Sequence, residues 1–284
     1  MPKVSVVIPA YNAAKFLPET LTSIWAQTEQ DLEVILVNDG SRDETDQLAT
    51  AQTDPRFTYI KKANSGVSDT RNVGMAKATA PYVVCFDADD LMAPDFLKHC
   101  ADLLDAQPHL GMAYVAYTPF DSDSGQDKPT LTFEPGDELR QLLEFRGNAG
   151  HPPSTVMLRR AVLDRVGGFD AQLSTSADWD MWVRLGHAAP MGYVPEALVR
   201  YRLHSGQMHR NIALMRRDML YAFRKAHKLG VFRNGTDYRR CLANLHLVLA
   251  GSWYHDAHKP LKAVLHTLQS LLTHPGPLWR KVVR

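Results

Sequence analysis

The sequence predicts an α/β protein in which a mostly parallel sheet carries helices on its faces and a helical extension follows at the C-terminal end. Three observations predict it. Short apolar runs alternate with stretches of helical spacing from the N-terminus onward, three of those runs end in clustered polar residues, and the pattern beyond position 204 turns helical and basic. Alternation of this kind implies parallel strands joined by crossover helices. In such sheets ligands collect at the carboxyl ends of the strands.

Val4-Ser5-Val6-Val7-Ile8 reads as the first strand, and Ala14 to Gln27 has helical spacing through Phe16, Leu17, Leu21, Ile24 and Trp25. Leu32 to Val37 is the second strand. The turn Asn38-Asp39-Gly40-Ser41 leads into a polar helix that runs through Ala49. Phe57 to Lys61 follows as a strand, Ser68 to Ala78 as a helix, and Pro81 to Phe86 as a strand that ends in Asp87-Ala88-Asp89-Asp90. Beyond His204, Leu261, Val264, Leu265, Leu268, Leu271 and Leu272 recur at helical intervals and form one apolar stripe. Most such stripes pack on a neighbour. The division expected is a main domain over residues 1–204 and a helical extension over residues 205–284.

Composition narrows the class. The chain has 284 residues, 45% hydrophobic and 22% charged, which is ordinary for a globular protein and excludes disorder as the main theme. Cys85, Cys100 and Cys241 are odd in number and lack a CxxC spacing, so neither a disulfide framework nor a zinc site is expected. A reducing cytoplasm fits. The apolar stretch after Met1 is too short for a signal peptide, and no apolar run reaches the ~18 residues of a membrane span. The net charge of +1 hides an asymmetry: from Ser205 onward there are 14 Lys and Arg against 3 Asp and Glu, leaving 18 against 28 before it. A basic region of this kind, ending in Trp279-Arg280-Lys281-Val282-Val283-Arg284, fits either a helix lying on an anionic membrane surface or plain packing and dimerisation. Nucleic acid is not expected, because no binding motif accompanies the charge.

The acidic cluster carries the chemistry. At the end of a strand the period of two places Asp87 and Asp89 on one side of the chain, where they can hold a divalent metal. Hard carboxylate oxygens suit Mg²⁺ or Mn²⁺, and Mg²⁺ takes one or two carboxylates together with substrate phosphates. The alternative is an acidic turn that caps a helix starting near Ala93-Pro94. Asp39 has a similar pair of readings, a ligand-facing carboxylate or an ordinary Asp-Gly turn. The loop Asp121 to Asp127 resembles a calcium loop, but Thr132 stands where a twelfth-position Glu belongs, so a surface hairpin or a mobile loop is expected.

Six blocks occur in order: Val4 to Asn12 with Pro9-Ala10-Tyr11-Asn12 at its end, Val37 to Ser41, Asn64-Ser65-Gly66-Val67-Ser68 with Arg71-Asn72, Phe86 to Asp90, Gly167-Gly168-Phe169-Asp170 with Asp178-Trp179-Asp180-Met181-Trp182, and Tyr201-Arg202-Leu203-His204. In this order and spacing the chain resembles the family 2 glycosyltransferases, which are inverting enzymes of the GT-A, Rossmann-like fold. The resemblance runs from about Val4 to His204 and supplies roles. It implies a nucleotide-diphosphate sugar as donor, with a UDP-sugar favoured, and Mg²⁺ or Mn²⁺ as cofactor. Pro9, Tyr11 and Asn12 border the base, Asp39 reads it, and Asn64, Gly66 and Arg71 line the nucleotide. Asp87 contacts the ribose side of the nucleotide or a metal-bound water, Ala88 belongs to the nucleotide-sugar site, and Asp89 and His204 hold the metal.

The same resemblance makes Asp178 the base that takes the proton from the acceptor hydroxyl, with Asp180 in reserve. Relatives often carry Glu-Asp before the Trp; here the pair is Ala177-Asp178, which removes a neighbouring negative charge that would help raise the base pKa. Trp179 either stacks on a sugar or packs inside. Gly147 to Ser154 is expected to wall the acceptor, a glycan or a lipid-linked saccharide in bacterial surface polysaccharide or glycolipid synthesis. A non-catalytic nucleotide-sugar-binding homologue is one rival. A nucleotidyltransferase is the other, and it would need a Gly-rich, Lys/Arg-bearing loop where Pro9-Ala10-Tyr11-Asn12 stands.

Overall fold

A computed structural model describes residues 1–146, 150–204 and 211–276 of the chain. Its centre is an eight-stranded sheet in the order β3-β2-β1-β4-β7-β6-β8-β5. Strands β1 (Val4–Ala10), β2 (Leu32–Asn38), β3 (Phe57–Lys61) and β4 (Tyr82–Cys85) are mutually parallel. β1 and β4 bury every residue and β2 all but one, as expected where helices cover both faces of a parallel sheet. The rest of the sheet is mixed: β7 (Val156–Arg159) runs antiparallel to β4 and to β6 (Met112–Asp121), β8 (Met191–Leu203) runs parallel to β6, and the two-residue β5 (Leu91–Met92) closes the far edge.

Helices α1 (Leu17–Trp25), α2 (Thr45–Thr50) and α3 (Val67–Lys77) provide the early crossovers, so each element expected up to residue 86 is present within three residues of its predicted ends. α3 lies unusually close to the sheet. A Cβ added to Gly74 would sit 2.2 Å from Val7 Cγ1, so the helix approaches β1 across a gap that holds no side chain. Helix α4 (Phe96–Ala106) starts later than the Ala93-Pro94 expected, because β5 forms first. The Asp121–Asp127 segment is the surface hairpin predicted: Asp121 Oδ1 accepts from the backbone of Asp123 and Ser124, and Phe120 bridges Asp127 across the turn.

After α5 (Glu138–Glu144), α6 (Arg160–Val166) and α7 (Ala177–Ala188), the chain is helical as predicted, with α8 (Ile212–Leu229), α9 (Gly235–His255) and α10 (Pro260–Thr273). The central hydrophobic core continues into α8 and α9 through Phe223, Phe232, Leu245 and Leu249. A cluster of buried ion pairs fastens α9 to α5: Glu144 meets Arg140 and Arg240, and Asp237 meets the same two guanidinium groups.

α10 departs from expectation. Its apolar stripe faces outward, with Leu261 86% and Leu272 87% exposed and Val264, Leu265, Leu268 and Leu271 also exposed. The helix instead docks on α9 by its opposite face, through Ala263, Ser270 and a contact between His266 and His246 at 3.1 Å. Small and polar residues permit that close approach, which leaves the leucines open. The charged end at residues 279–284 lies outside the described residues.

Gly74→Ala should destabilise the fold by about 1–3 kcal/mol or more through overpacking against Val7. Chemical denaturation of the purified variant measures it.

Candidate functional site

Because β2, β1 and β4 are parallel neighbours, their carboxyl ends lie side by side, and the three polar loops meet as predicted. The Asp39 amide donates to the Ala10 carbonyl at 2.8 Å. Asn12, held at φ 51°, ties the first two loops: its amide donates to Ser41 Oγ at 2.9 Å, and its Oδ1 accepts from the Arg42 amide at 2.8 Å. Pro9 is buried inside β1, and Tyr11 is 49% exposed beside it.

Asp39 is almost fully buried and builds its own loop. Its Oδ1 accepts from the Ser65 amide and its Oδ2 from the Gly66 amide, each at 2.9 Å, while Asn64 Nδ2 donates to the Asp39 carbonyl at 3.0 Å. Lys62 also pairs with the carboxylate. Gly66 has φ 96°, a conformation that favours glycine, and a Cβ there would meet nothing within 4 Å. Backbone shape, not crowding within the protein, accounts for this glycine.

The aspartate cluster divides. β4 ends at Cys85, so Asp87 and Asp89 lie in a turn beyond the strand and the period of two does not govern them. Asp87 faces inward to the buried Arg71, whose Nη2 donates to Asp87 Oδ1 at 2.6 Å. Burial raises the Asp87 carboxyl above its usual range, with the guanidinium opposing that rise. Arg71 rests over the Phe169 ring at 5.2 Å, and its Nε has no hydrogen-bond partner among the described residues. Ala88 is buried, and its carbonyl accepts from Thr20 Oγ1.

Asp89 points the other way, placing Oδ2 2.8 Å from Nε2 of His204, which lies against Phe16. Adjacent ligands on an octahedral ion with bonds of about 2.1 Å stand ~3 Å apart, so this oxygen and nitrogen fit one divalent ion and leave positions open for phosphate oxygens. A second group of possible ligands, Glu144, Asp237 and Cys241, does not fit one. Its carboxylates already hold Arg140 and Arg240, and burial pushes the Cys241 thiol up to about 11.

Asp90 is not the helix cap that the sequence allowed. It is fully buried, and its Oδ1 accepts from the Arg202 amide at 2.9 Å, pinning β8 to the acidic turn. Asp95 occupies the cap position of α4.

Asp178 stands in the first turn of α7, partly exposed, with Oδ1 accepting from the Trp179 amide at 2.8 Å. Burial raises its carboxyl to about 6; Asp87 adds to the shift and Arg71 opposes it. The absent Glu is therefore not needed for a raised pKa. Asp180 is no solvent-facing acid. It is 3% exposed and is clamped by Arg184 at 3.0 Å and Lys225 at 2.9 Å, the latter also reaching Asp170. Trp179 packs inside, stacked on Phe145 and Phe223. Of the expected acceptor wall, residues 147–149 lie outside the described residues.

Three supporting residues were not singled out from sequence. Lys62 reaches Asp39 across a distance that no local spacing encodes, Ser154 Oγ accepts from the Asp87 amide at 3.0 Å, and Thr20 bonds both the Ala88 and Asp90 carbonyls. Asn72 had been noted only as part of a block. It brackets Phe169, its Nδ2 donating to the Phe169 carbonyl and its Oδ1 accepting from the Phe169 amide, both at 2.8 Å.

A parallel half-sheet with polar loops at its carboxyl ends, joined to a mixed half that adds an acid and a histidine, defines an α/β protein with a polar cleft along one sheet edge. Residues 5–167 match Glycosyl transferase family 2, and the chain belongs to that family. Curated relatives include an uncharacterized glycosyltransferase of Rickettsia prowazekii (strain Madrid E), 28% identical over 210 residues, covering 72% of this chain and 65% of the relative. Chondroitin synthase of Escherichia coli is 26% identical over 72% of this chain and 29% of its own length. The chain thus spans less than two thirds of these relatives. Among solved structures, Staphylococcus aureus TarS 1–349 in complex with UDP-GlcNAc superposes with a TM-score of 0.62 at 19% identity, covering 96% of this chain and 72% of that one. The mannosyltransferase PcManGT of Pyrobaculum calidifontis, in complex with GDP-Man and Mn²⁺, gives 0.65 at 22% identity over 98% and 83%. These likenesses show the GT-A fold predicted.

Replacing Asp180 by Ala should cost about 3 kcal/mol, because it leaves Arg184 and Lys225 short of a buried partner. Thermal melting measures it, and an unchanged melting temperature would refute the structural role.

Proposed function

We propose that this protein is an inverting glycosyltransferase that moves a sugar from a nucleotide-diphosphate donor, a UDP-sugar in the favoured reading, to an acceptor hydroxyl. The observation that carries the reading is the Asp89–His204 pair at 2.8 Å, set in the same acidic turn as Asp87 and on the same sheet edge as Asp39. A divalent ion, Mg²⁺ or Mn²⁺, held by Asp89 and His204 would offset the charge that builds on the departing diphosphate. Asp39, with Asn64 and Gly66 bonded to it, shapes the base site between Pro9, Tyr11 and Asn12. Arg71 holds Asp87 in place along the ribose side, next to Ala88.

Asp178 is the base in this proposal. An inverting displacement needs one group that removes the acceptor proton as the new bond forms. A carboxyl near 6 is ionised at neutral pH and is a stronger proton acceptor than an ordinary aspartate. Asp180, with both its carboxylate oxygens paired, lacks that freedom. The division at residue 204 belongs to the proposal in functional terms, with the site before it and the helices behind it.

The setting proposed is bacterial surface polysaccharide or glycolipid synthesis, with the helical region in peripheral contact with a membrane. The open leucine face of α10 and the basic excess of that region support this. Among the described residues no helix is long and apolar enough to cross a membrane.

Three outcomes are expected. Asp89→Asn and His204→Ala should each weaken Mn²⁺-dependent binding of a nucleoside diphosphate in a thermal-shift titration, and equal shifts in the parent and both variants would remove the metal assignment. Asp178 must be ionised to act, so kcat/KM should fall as pH drops below about 6; Asp178→Asn should lower turnover ~10²–10⁴-fold and abolish that acid limb while donor binding persists. Leu265→Glu with Leu268→Glu should reduce co-sedimentation with anionic vesicles, whereas a change in oligomeric state instead would assign the face to self-association.

A further inference from the structure

Asp178 opens onto a cavity of about 410 Å³. Its far wall is hydrocarbon and thioether: Met215 and Met219 from α8, Leu245 and Leu249 from α9, and Leu131 from the hairpin. Polar side chains line it at the α7 end, at Thr175, Ser176 and Asp178, and at His151 and Tyr117. His151 is 4% exposed, seated between the rings of Tyr114 and Phe133, and its Nδ1 has no hydrogen-bond partner among the described residues. Burial pushes its imidazole down to about 3, so it is neutral at any ordinary pH. The cavity thus has a polar end that includes the base and an apolar body drawn from the C-terminal helices.

Sites that bind free oligosaccharide meet a hydroxyl on nearly every ring carbon, and each hydroxyl buried without a partner costs free energy. This wall offers none of those partners. It matches instead a ligand with one polar end and an apolar remainder, the pattern of small-molecule pockets that are mostly hydrophobic with a few placed polar groups. We propose that the cavity is the acceptor subsite for a hydrocarbon group, so that the acceptor is a hydroxyl-bearing head joined to an alkyl chain, a lipid-linked molecule and not a free glycan. The inference rests on the transferase reading, since Asp178 orients the ligand within it. The chain seats against Met215, Met219 and Leu249, and the head group lies at the polar end beside Thr175, Ser176 and Asp178.

Trp179 and Trp182 line the same cavity, so their fluorescence reports on filling. The full chain is titrated with n-octyl glucoside below its micelle concentration and with methyl glucoside. Octyl glucoside should saturate and bind at least ~100-fold more tightly, given the apolar surface removed from water. Met215→Gln and Val248→Asn, at positions that are not fully buried, should weaken it roughly fivefold or more with unchanged melting, while Leu265→Lys on the open face of α10 should not. Equal binding of the two glucosides, absence of saturation, or insensitivity to both cavity variants would overturn the proposal. Mn²⁺-dependent nucleotide binding and the acid limb set by Asp178 are read in parallel: their loss overturns the transferase reading, whereas failure of the octyl arm alone overturns only this one.

Discussion

Four carboxylates, Asp87, Asp89, Asp90 and Asp178, gather near the end of β4, and the structure depends on how their repulsion is held in check. Arg71 opposes it with charge, and Arg202 ties the turn down with hydrogen bonds. Arg71 pairs with Asp87 at 2.6 Å and also lies close enough to Asp178 to oppose the rise in its pKa. Arg202 meets the turn at two points, its Nε donating to the Asp89 carbonyl at 2.6 Å and its amide to Asp90 at 2.9 Å. A buried guanidinium remains charged at any physiological pH, so Arg71 supplies its positive charge to the turn throughout that range. Placing a divalent ion in the turn would relieve the remaining charge at Asp89, which is the chemical reason an acidic turn of this shape suits a metal and a diphosphate.

The same contacts couple distant parts of the chain. Arg71 is on α3, Asp87 follows β4, Arg202 is on β8, and Asp178 opens α7. Phe169 beneath Arg71 is bracketed by Asn72, and Asp170 next to it takes Lys225 from α8. Lys225 then reaches Asp180, two residues beyond Asp178 in the same first turn of α7. A series of ion pairs, joined by the Arg71–Phe169 cation–π contact and the peptide link from Phe169 to Asp170, therefore runs from the strand end that positions Asp87 to the helix that presents Asp178. Each link is buried or half-buried, where an unpaired group is costly, so the separation between the two halves of the site is defined by contacts that do not shift independently.

Much of this was legible in the sequence because it is local. β1 and β2 announce themselves by short, mostly apolar runs and β3 by its aromatic and β-branched residues, and the three strand ends converge because parallel pairing requires it. The split of the aspartate cluster was legible only in outline: family resemblance separated Asp87 from Asp89, whereas strand alternation would have kept them together. Their divergence depends on Arg71, sixteen positions upstream, and on His204, far downstream, neither of which a strand pattern can show. Asp180 and Asp178 are indistinguishable by spacing, since both fall in the first turn of α7; Lys225 and Arg184 tell them apart. The outward face of α10 was likewise hidden, because a 3.6-residue period reports that a helix has two faces and is silent on which one meets a neighbour. Here a buried histidine pair and small residues won over the leucines.

That outcome bears on why the helices are present at all. If α8, α9 and α10 only completed the core, the apolar stripe of α10 would have been the natural surface to bury, at roughly 25 cal/mol per Å². Instead α9 spends its apolar positions in two places. Leu245 and Leu249 join the main core and at the same time face the cavity beside Asp178, while the polar pair at His246 takes the contact with α10. Such an arrangement sacrifices burial at α10 and keeps an apolar-walled space next to a carboxyl whose pKa is raised to about 6. An apolar wall lowers the local dielectric, and desolvation is the first cause of that raised value. The helices that follow residue 204 thus line the same space as Asp178, and the acidic turn and the cavity meet at that one side chain.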